Sequence, residues 1–135
     1  DIVADYASLG LTLRRHPLAL LRAKLATRRL LSSVQVRERA HGERVTTAGL
    51  VICRQHPSSA SGTIFVTLED EAGSTNVIVW GSVAERDRRA LLGARLMAVQ
   101  GEVQRENEVL HVIAHRLADY SSLLGDLTVA SRDFR

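Results

Sequence analysis

The segment TIFVTLEDEAGSTNVIVW, residues 63–80, has a period of two on both sides of a short polar turn. Thr63–Glu69 places Ile64, Val66 and Leu68 on one side and Thr63, Phe65 and Thr67 on the other, the pattern of a half-buried strand. Asp70–Gly73 supplies turn residues, and Ser74–Trp80 reads as the returning strand of a hairpin. Setting Glu69 opposite Ser74 brings Thr67 beside Asn76, Phe65 beside Ile78 and Thr63 beside Trp80. A slip of one residue would turn every apolar side chain to the other face. In this register Ile64, Val66, Leu68, Val77 and Val79 point inward, while Phe65, Ile78 and Trp80 point outward.

Upstream, Val45–Arg54 is rich in β-branched and apolar residues and reads as a long first strand. Gly49 in its middle is expected to mark a bulge or bend, and His56–Gly62 is turn chemistry. Downstream, Ser82 and Glu85 have capping-box spacing for a short helix, with Gly93 as its stop. Ala94–Val103 is the fourth strand, Arg105–Asn107 a turn, and Glu108–Ala114 the fifth strand. Three strands, a helix and two strands is the order of a mainly β fold, the five-stranded OB-fold Greek-key barrel with one short helix between strands 3 and 4.

A helical lead-in is expected before the barrel. Residues 11–31 read as a helix with Pro17 at its first position and Leu18, Leu21 and Leu25 on one face, followed by a polar connector, Ser32–Arg44. The expected organisation is a lead-in and basic linker over 1–44, the OB domain over 45–120 and a tail over 121–135.

The chain has 135 residues, 45% of them apolar, enough for one core without a metal or disulfide. Cys53 is the single cysteine, which excludes an internal disulfide and reads as strand filler. No apolar run approaches the roughly 20 residues of a membrane span. The chain opens on Asp1, and we expect a piece of a longer cytoplasmic protein. Between Leu11 and Arg44 nine basic residues face two acidic ones. Such a basic lead-in suits a phosphate-bearing partner or forms a solvated helix face; both readings are open.

The five histidines do not cluster with cysteines or acids at metal-ligand spacing, so no metal site is expected. Neither a nucleophile elbow nor a glycine-rich phosphate loop occurs. The acidic group Glu69, Asp70 and Glu71 reads as a solvated hairpin tip rather than a magnesium site. No catalytic residues are expected. The candidate interface is instead the outer face of strands 2 and 3, which in OB-folds commonly receives oligonucleotides. Phe65, Ile78 and Trp80, with Thr67 and Asn76 between them, offer a surface on which bases stack without regard to sequence. Arg54, Arg105 and Arg116 are expected to border it and hold phosphates. The other open reading is that the lead-in helix or a neighbouring domain covers this patch.

Several segments carry a family resemblance. Gly49-Leu50-Val51 and Phe65-Val66-Thr67-Leu68-Glu69-Asp70-Glu71 resemble the OB domain near the C-terminus of bacterial C-family DNA polymerases of the replicative alpha-subunit type. Arg88-Arg89-Ala90-Leu91-Leu92, Gly101-Glu102-Val103-Gln104-Arg105-Glu106, His111-Val112-Ile113-Ala114 and Ser131-Arg132-Asp133-Phe134-Arg135 resemble its error-prone branch. Asp5-Tyr6, Gly10-Leu11-Thr12-Leu13 and His16-Pro17 are similar to the segment that joins the helix-hairpin-helix region to the barrel. The resemblance implies a parent nucleotidyltransferase that uses Mg²⁺ and deoxynucleoside triphosphates in damage-induced (SOS) translesion synthesis, with its catalytic aspartates far upstream. It implies that this region contacts the single-stranded DNA template and needs no cofactor of its own. It also implies two protein partners of the parent, an inactive Y-family-like polymerase and a RecA-like accessory protein. Gly81 stands where a proline or polar residue is usual, and Ser58 and Ser59 where a basic residue or glycine is more common.

Overall fold

The structure, a computed structural model, describes residues 16–56 and 62–125. Five strands close into a barrel: β1 (Arg44–Gln55), β2 (Ile64–Asp70), β3 (Gly73–Val79), β4 (Leu96–Glu106) and β5 (Val109–Asp119). Around the barrel the order is β1-β2-β3-β5-β4. Every pairing is antiparallel except β3 with β5, which is parallel. Closure leaves no open sheet edge, and this is the mainly β OB-type architecture expected.

The hairpin adopts the anticipated register, with Glu69 opposite Ser74, Thr67 opposite Asn76 and Phe65 opposite Ile78. Val66, Leu68, Val77 and Val79 are buried, and Ile64 packs partly buried against the same core. They meet Met97, Val99, Val103, Val112 and Ala114 inside the barrel. Burying an aliphatic side chain of this size contributes about 1.5–3 kcal/mol, so the alternation of these strands is what holds the barrel shut. The ladder ends at the Ile64–Val79 pair, and Thr63, expected to face outward, is buried.

Two glycines sit where strands approach too closely for a side chain. A Cβ on Gly49 would lie 2.8 Å from the Leu68 Cβ, and a Cβ on Gly101 would collide with the Ile113 carbonyl. Gly49 is therefore a close-approach residue, and the irregularity of β1 falls three residues later, between Val51 and Cys53. A second irregularity falls at the Gln100–Gly101 step of β4, where β5 carries the extra residue His115 between Ala114 and Arg116. Both β4 and β5 run past their expected ends, to Glu106 and Asp119.

The lead-in helix α1 spans Pro17–Thr27, with Pro17 at its start and the His16 ring Nδ1 accepting from the Leu18 amide at 3.1 Å. It ends four residues before the anticipated limit. Arg29 takes a left-handed conformation (φ 62°), and the Leu30 amide reaches back to the Leu25 carbonyl at 2.9 Å. The expected residues 11–15 lie outside the described range. Leu18, Leu21 and Leu25 share a second core with Leu50, Leu96 and Ala98 on the outside of the barrel.

The stretch expected as an irregular connector contains a short helix, α2 (Ser33–Arg37), closed by a capping box between Ser32 and Gln35. The expected capping box at Ser82 and Glu85 does not form. Helix α3 (Gly81–Arg86) starts two residues earlier than that box would set it, with Trp80 rather than Ser82 at its N-cap and no side-chain cap. The single expected helix is two, because Asp87 interrupts it before α4 (Arg88–Gly93). The Asp87 carboxylate accepts the Leu117 amide of β5 at 2.9 Å, which anchors the break to the barrel.

The hairpin tip is exposed at Glu71 and Ala72, as expected of a solvated turn, but its carboxylates are engaged and Asp70 is buried. Glu69 meets His16 at 3.0 Å, and Glu71 takes a two-pronged contact from Arg22 at 2.6 and 2.7 Å. Asp70, which is buried, accepts the Ser33 amide at 2.6 Å, the Ser33 hydroxyl at 2.8 Å and the amides of Ala72 and Gly73. Arg22 also lies 3.7 Å from Asp70, so Asp70 and Glu71 share its charge while Glu69 meets His16, and the three carboxylates together clasp the lead-in onto the barrel.

Candidate nucleic-acid interface

The outer face of the barrel is organised by the same ladders that close it. Phe65 is paired with Gln55 of β1 and Ile78 of β3, and Ile78 is paired in turn with Ile113 of β5. One step along, Cys53, Thr67, Asn76 and His111 form a parallel row. Their alternates Val66, Val77 and Val112 are buried, so both rows face outward. Directly opposed side chains on one face lie within contact of each other. In the first row Phe65, Ile78 and Ile113 are apolar and Gln55 adds an amide at one end; in the second, Thr67, Asn76 and His111 can donate and accept hydrogen bonds.

Between these rows lies a hollow of about 180 Å³ lined by Gln55, Phe65, Thr67, Asn76, Ile78 and His111. Phe65 is 43% exposed and Trp80 52%, high values for rings in a chain with so few aromatics. Trp80 follows β3 in extended conformation (φ −67°, ψ 155°), and its carbonyl accepts the Ala84 amide at 2.9 Å. Its backbone is therefore anchored by α3 while its side chain stays exposed.

Four of the anticipated residues, Phe65, Thr67, Asn76 and Ile78, are brought together on the two strands; Trp80 lies past the last ladder pair at the N-cap of α3, is not paired with Thr63 and does not line the hollow. Gln55 and His111 join them without having been anticipated. The alternation around Val112 and Ala114 already points His111 outward, but only the parallel β3–β5 pairing places it beside Asn76.

The anticipated arginines are not gathered at this face. Arg54 donates to the Leu91 and Ala94 carbonyls, each at 2.6 Å, and so caps the end of α4. Arg105 donates to the Arg39 carbonyl at 3.0 Å and to the Arg37 carbonyl, which ties the end of α2 to β4. Arg116 is exposed on β5 opposite Gln100, and its charge helps hold the Asp87 carboxyl below its ordinary range, behind the larger effect of the Arg86 hydrogen bond. Unpaired carbonyls at helix ends attract guanidinium donors, and this accounts for Arg54 and Arg105. The turn from His56 to Gly62 is described only at its two ends. Among the described residues no group of three or more His, Cys, Asp or Glu side chains is placed to hold a metal ion.

Residues 45–119, which include the whole aromatic face, match the family of OB-fold nucleic acid binding domains. The chain belongs to this family. As an OB-fold nucleic acid binding domain it is 56% identical over 134 residues to an error-prone DNA polymerase of Alkalilimnicola ehrlichii, covering 99% of this chain and 13% of that protein. An error-prone DNA polymerase of Aromatoleum aromaticum is 52% identical over the full 135 residues. The chain thus spans about an eighth of the length of the curated relatives it matches. Asparaginyl-tRNA synthetase from Pyrococcus horikoshii shares the fold over 66% of this chain and 22% of its own, with a TM-score of 0.54 at 22% identity.

Proposed function

We propose that this OB domain is the part of an error-prone DNA polymerase that holds the single-stranded template, with no catalytic centre of its own. The observation that carries the reading is the outward row of Phe65 and Ile78, with Trp80 just beyond, above the polar row of Thr67, Asn76 and His111. Each base stacked on an aromatic ring contributes about 1–3 kcal/mol whatever its identity, a sequence tolerance that template handling requires. The relatives named error-prone DNA polymerase support placing the domain in such an enzyme. The parent is then a cytoplasmic polymerase that uses Mg²⁺ in translesion synthesis after DNA damage. Its proposed protein partners are the Y-family-like polymerase and the RecA-like accessory protein.

Titrating the chain with oligo-dT while following Trp80 emission tests this reading. Stacking quenches the indole, and the affinity falls as salt rises because phosphate contacts release counterions. Trp80→Ala, which removes the single tryptophan and is followed by the anisotropy of a labelled oligo-dT instead, weakens binding by about 1–3 kcal/mol. Emission that stays constant at low salt and high protein concentration contradicts the proposal. A second reading is favoured by the exposure of the same rings on a chain covering 13% of its relatives: the face docks on a neighbouring polymerase domain. In that case Phe65→Ala and Trp80→Ala weaken capture of the remaining polymerase and leave DNA affinity unchanged.

A further inference from the structure

On the side of the barrel where the first half of β1 pairs with β4, a second hollow takes no part in stacking. It measures about 290 Å³ and is lined by Arg29, Arg39, Glu43, Arg44, Thr46 and Gln100, with Leu31 and Val45 behind them. Thr46 and Gln100 are opposite one another in the β1–β4 ladder, so a hydroxyl and an amide accompany the three guanidinium groups.

The charges are not balanced within the hollow. Glu43 divides its carboxylate between the Ala40 amide at 3.1 Å and Arg39 Nη1 at 3.4 Å. The side chains of Arg29 and Arg44 form no ion pair among the described residues. Arg39 Nε is buried and has no acceptor among the described residues, a condition native proteins seldom leave in place.

Arg29 is the second, independent observation. It occupies the left-handed position just past the end of α1, where the Arg29 amide bonds the Ala26 carbonyl and the Leu30 amide bonds the Leu25 carbonyl. Glycine is the usual residue there because it has no Cβ to clash. An arginine at that position carries a steric penalty, and backbone strain of this kind concentrates at binding sites.

We propose that this hollow is an anion site that takes a backbone phosphate of nucleic acid, apart from the stacking face on β2 and β3. A tetrahedral phosphate accepts from several guanidinium groups approaching from different directions, whereas a planar carboxylate matches one fork. Three arginines, a hydroxyl and an amide around one small hollow match the former. The site goes beyond the stacking reading and is tested separately from it.

The test compares the native chain with the double variant Arg29→Gly/Arg44→Ala. Labelled oligo-dT of about 8 and about 20 nucleotides, within and beyond the usual OB site size, and a duplex are each titrated across a salt series. The double variant binds about 3- to 10-fold more weakly at low salt, and its dependence of log K on log salt is shallower by roughly one unit, as expected for one or two lost single-strand phosphate contacts. A loss seen with the longer strand but not the shorter assigns the phosphate to the same strand carried around the barrel. A loss seen only with the duplex assigns it to a second nucleic acid. Unchanged slopes with all three overturn the proposal.

Arg29→Gly alone leaves the melting temperature level or higher, since it relieves the left-handed strain; a purely structural arginine would lower it. Titration with inorganic phosphate supplies a readout that does not involve Trp80. The Nε–Hε resonances of Arg29 and Arg44 move together if the site is real, and resonances that stay still count against it. Movement there with constant Trp80 emission on oligo-dT separates a sound anion site from a failed stacking face.

Discussion

Three consecutive carboxylates at a hairpin tip would repel one another if left uncompensated; here Glu69 meets His16, and Arg22 serves both Asp70 and Glu71. The Arg22 hydrogen bond holds the Glu71 carboxyl below its ordinary range, with the charges of Arg22 and His16 adding to the effect. The unfolded chain therefore binds this proton more readily than the folded one, so folding gains stability as pH rises through the carboxylate range. That gain is fully present above the ordinary glutamate value of 4.5 and is lost as pH falls through the lower folded value. The native chain and Glu71→Gln should differ in melting temperature at neutral pH and converge in acid. Asp70 is a harsher case. Its replacement by alanine removes the acceptor of the Ser33 amide and hydroxyl and of two turn amides. Leaving several buried donors without partners costs about 3 kcal/mol or more, measurable as a shift of the urea midpoint.

At the scale of elements, the close approach of β4 to β5 depends on Gly101. Gly101→Ala forces its Cβ against the Ile113 backbone, which cannot yield as a flexible side chain would. We expect a loss of about 2–3 kcal/mol, with the altered β4–β5 contact visible as faster amide exchange. The elements also show what was legible in the sequence. The hairpin was readable to the residue pair, because alternation and a short turn leave one register that buries Val66, Leu68, Val77 and Val79. Helix α2 was not, since five residues offer no apolar period, although Ser32 and Gln35 already had capping-box spacing. Ser82 and Glu85 had it too, yet chain entry from β3 puts the helix start at Gly81. The roles of Arg54 and Arg105 are tertiary: the carbonyls they bond lie 37 and 66 residues away in sequence. No local pattern of charge separates such an arginine from one that holds phosphate. On the candidate face, the placement of the residues on β2 and β3 was readable and that of Gln55 and His111 was not, because it requires the whole ladder.

At the scale of the molecule, the described residues form two apolar clusters, one inside the barrel and one between the barrel and α1. The second joins Leu18, Leu21 and Leu25 to Leu50, Leu96 and Ala98, so the lead-in is part of the folded unit. A chain beginning at Ser32 leaves those barrel residues uncovered, and contiguous apolar surface of that kind promotes association. Such a chain should bind a hydrophobic dye and lose solubility relative to the full chain, as sedimentation and dye fluorescence would report.

The parallel contact between β3 and β5 has a temporal meaning as well. Asn76, Val77 and Ile78 find their partners at His111, Val112 and Ile113, 35 residues later. During synthesis the hairpin can form as soon as it clears the ribosome, but its outer edge stays open until the final strand emerges. Distant pairings of this sort slow folding, because loop entropy is lost before contacts compensate. The nascent chain therefore presents an unsatisfied strand edge for the time taken to translate those intervening codons, and chaperones would have their opportunity in that interval.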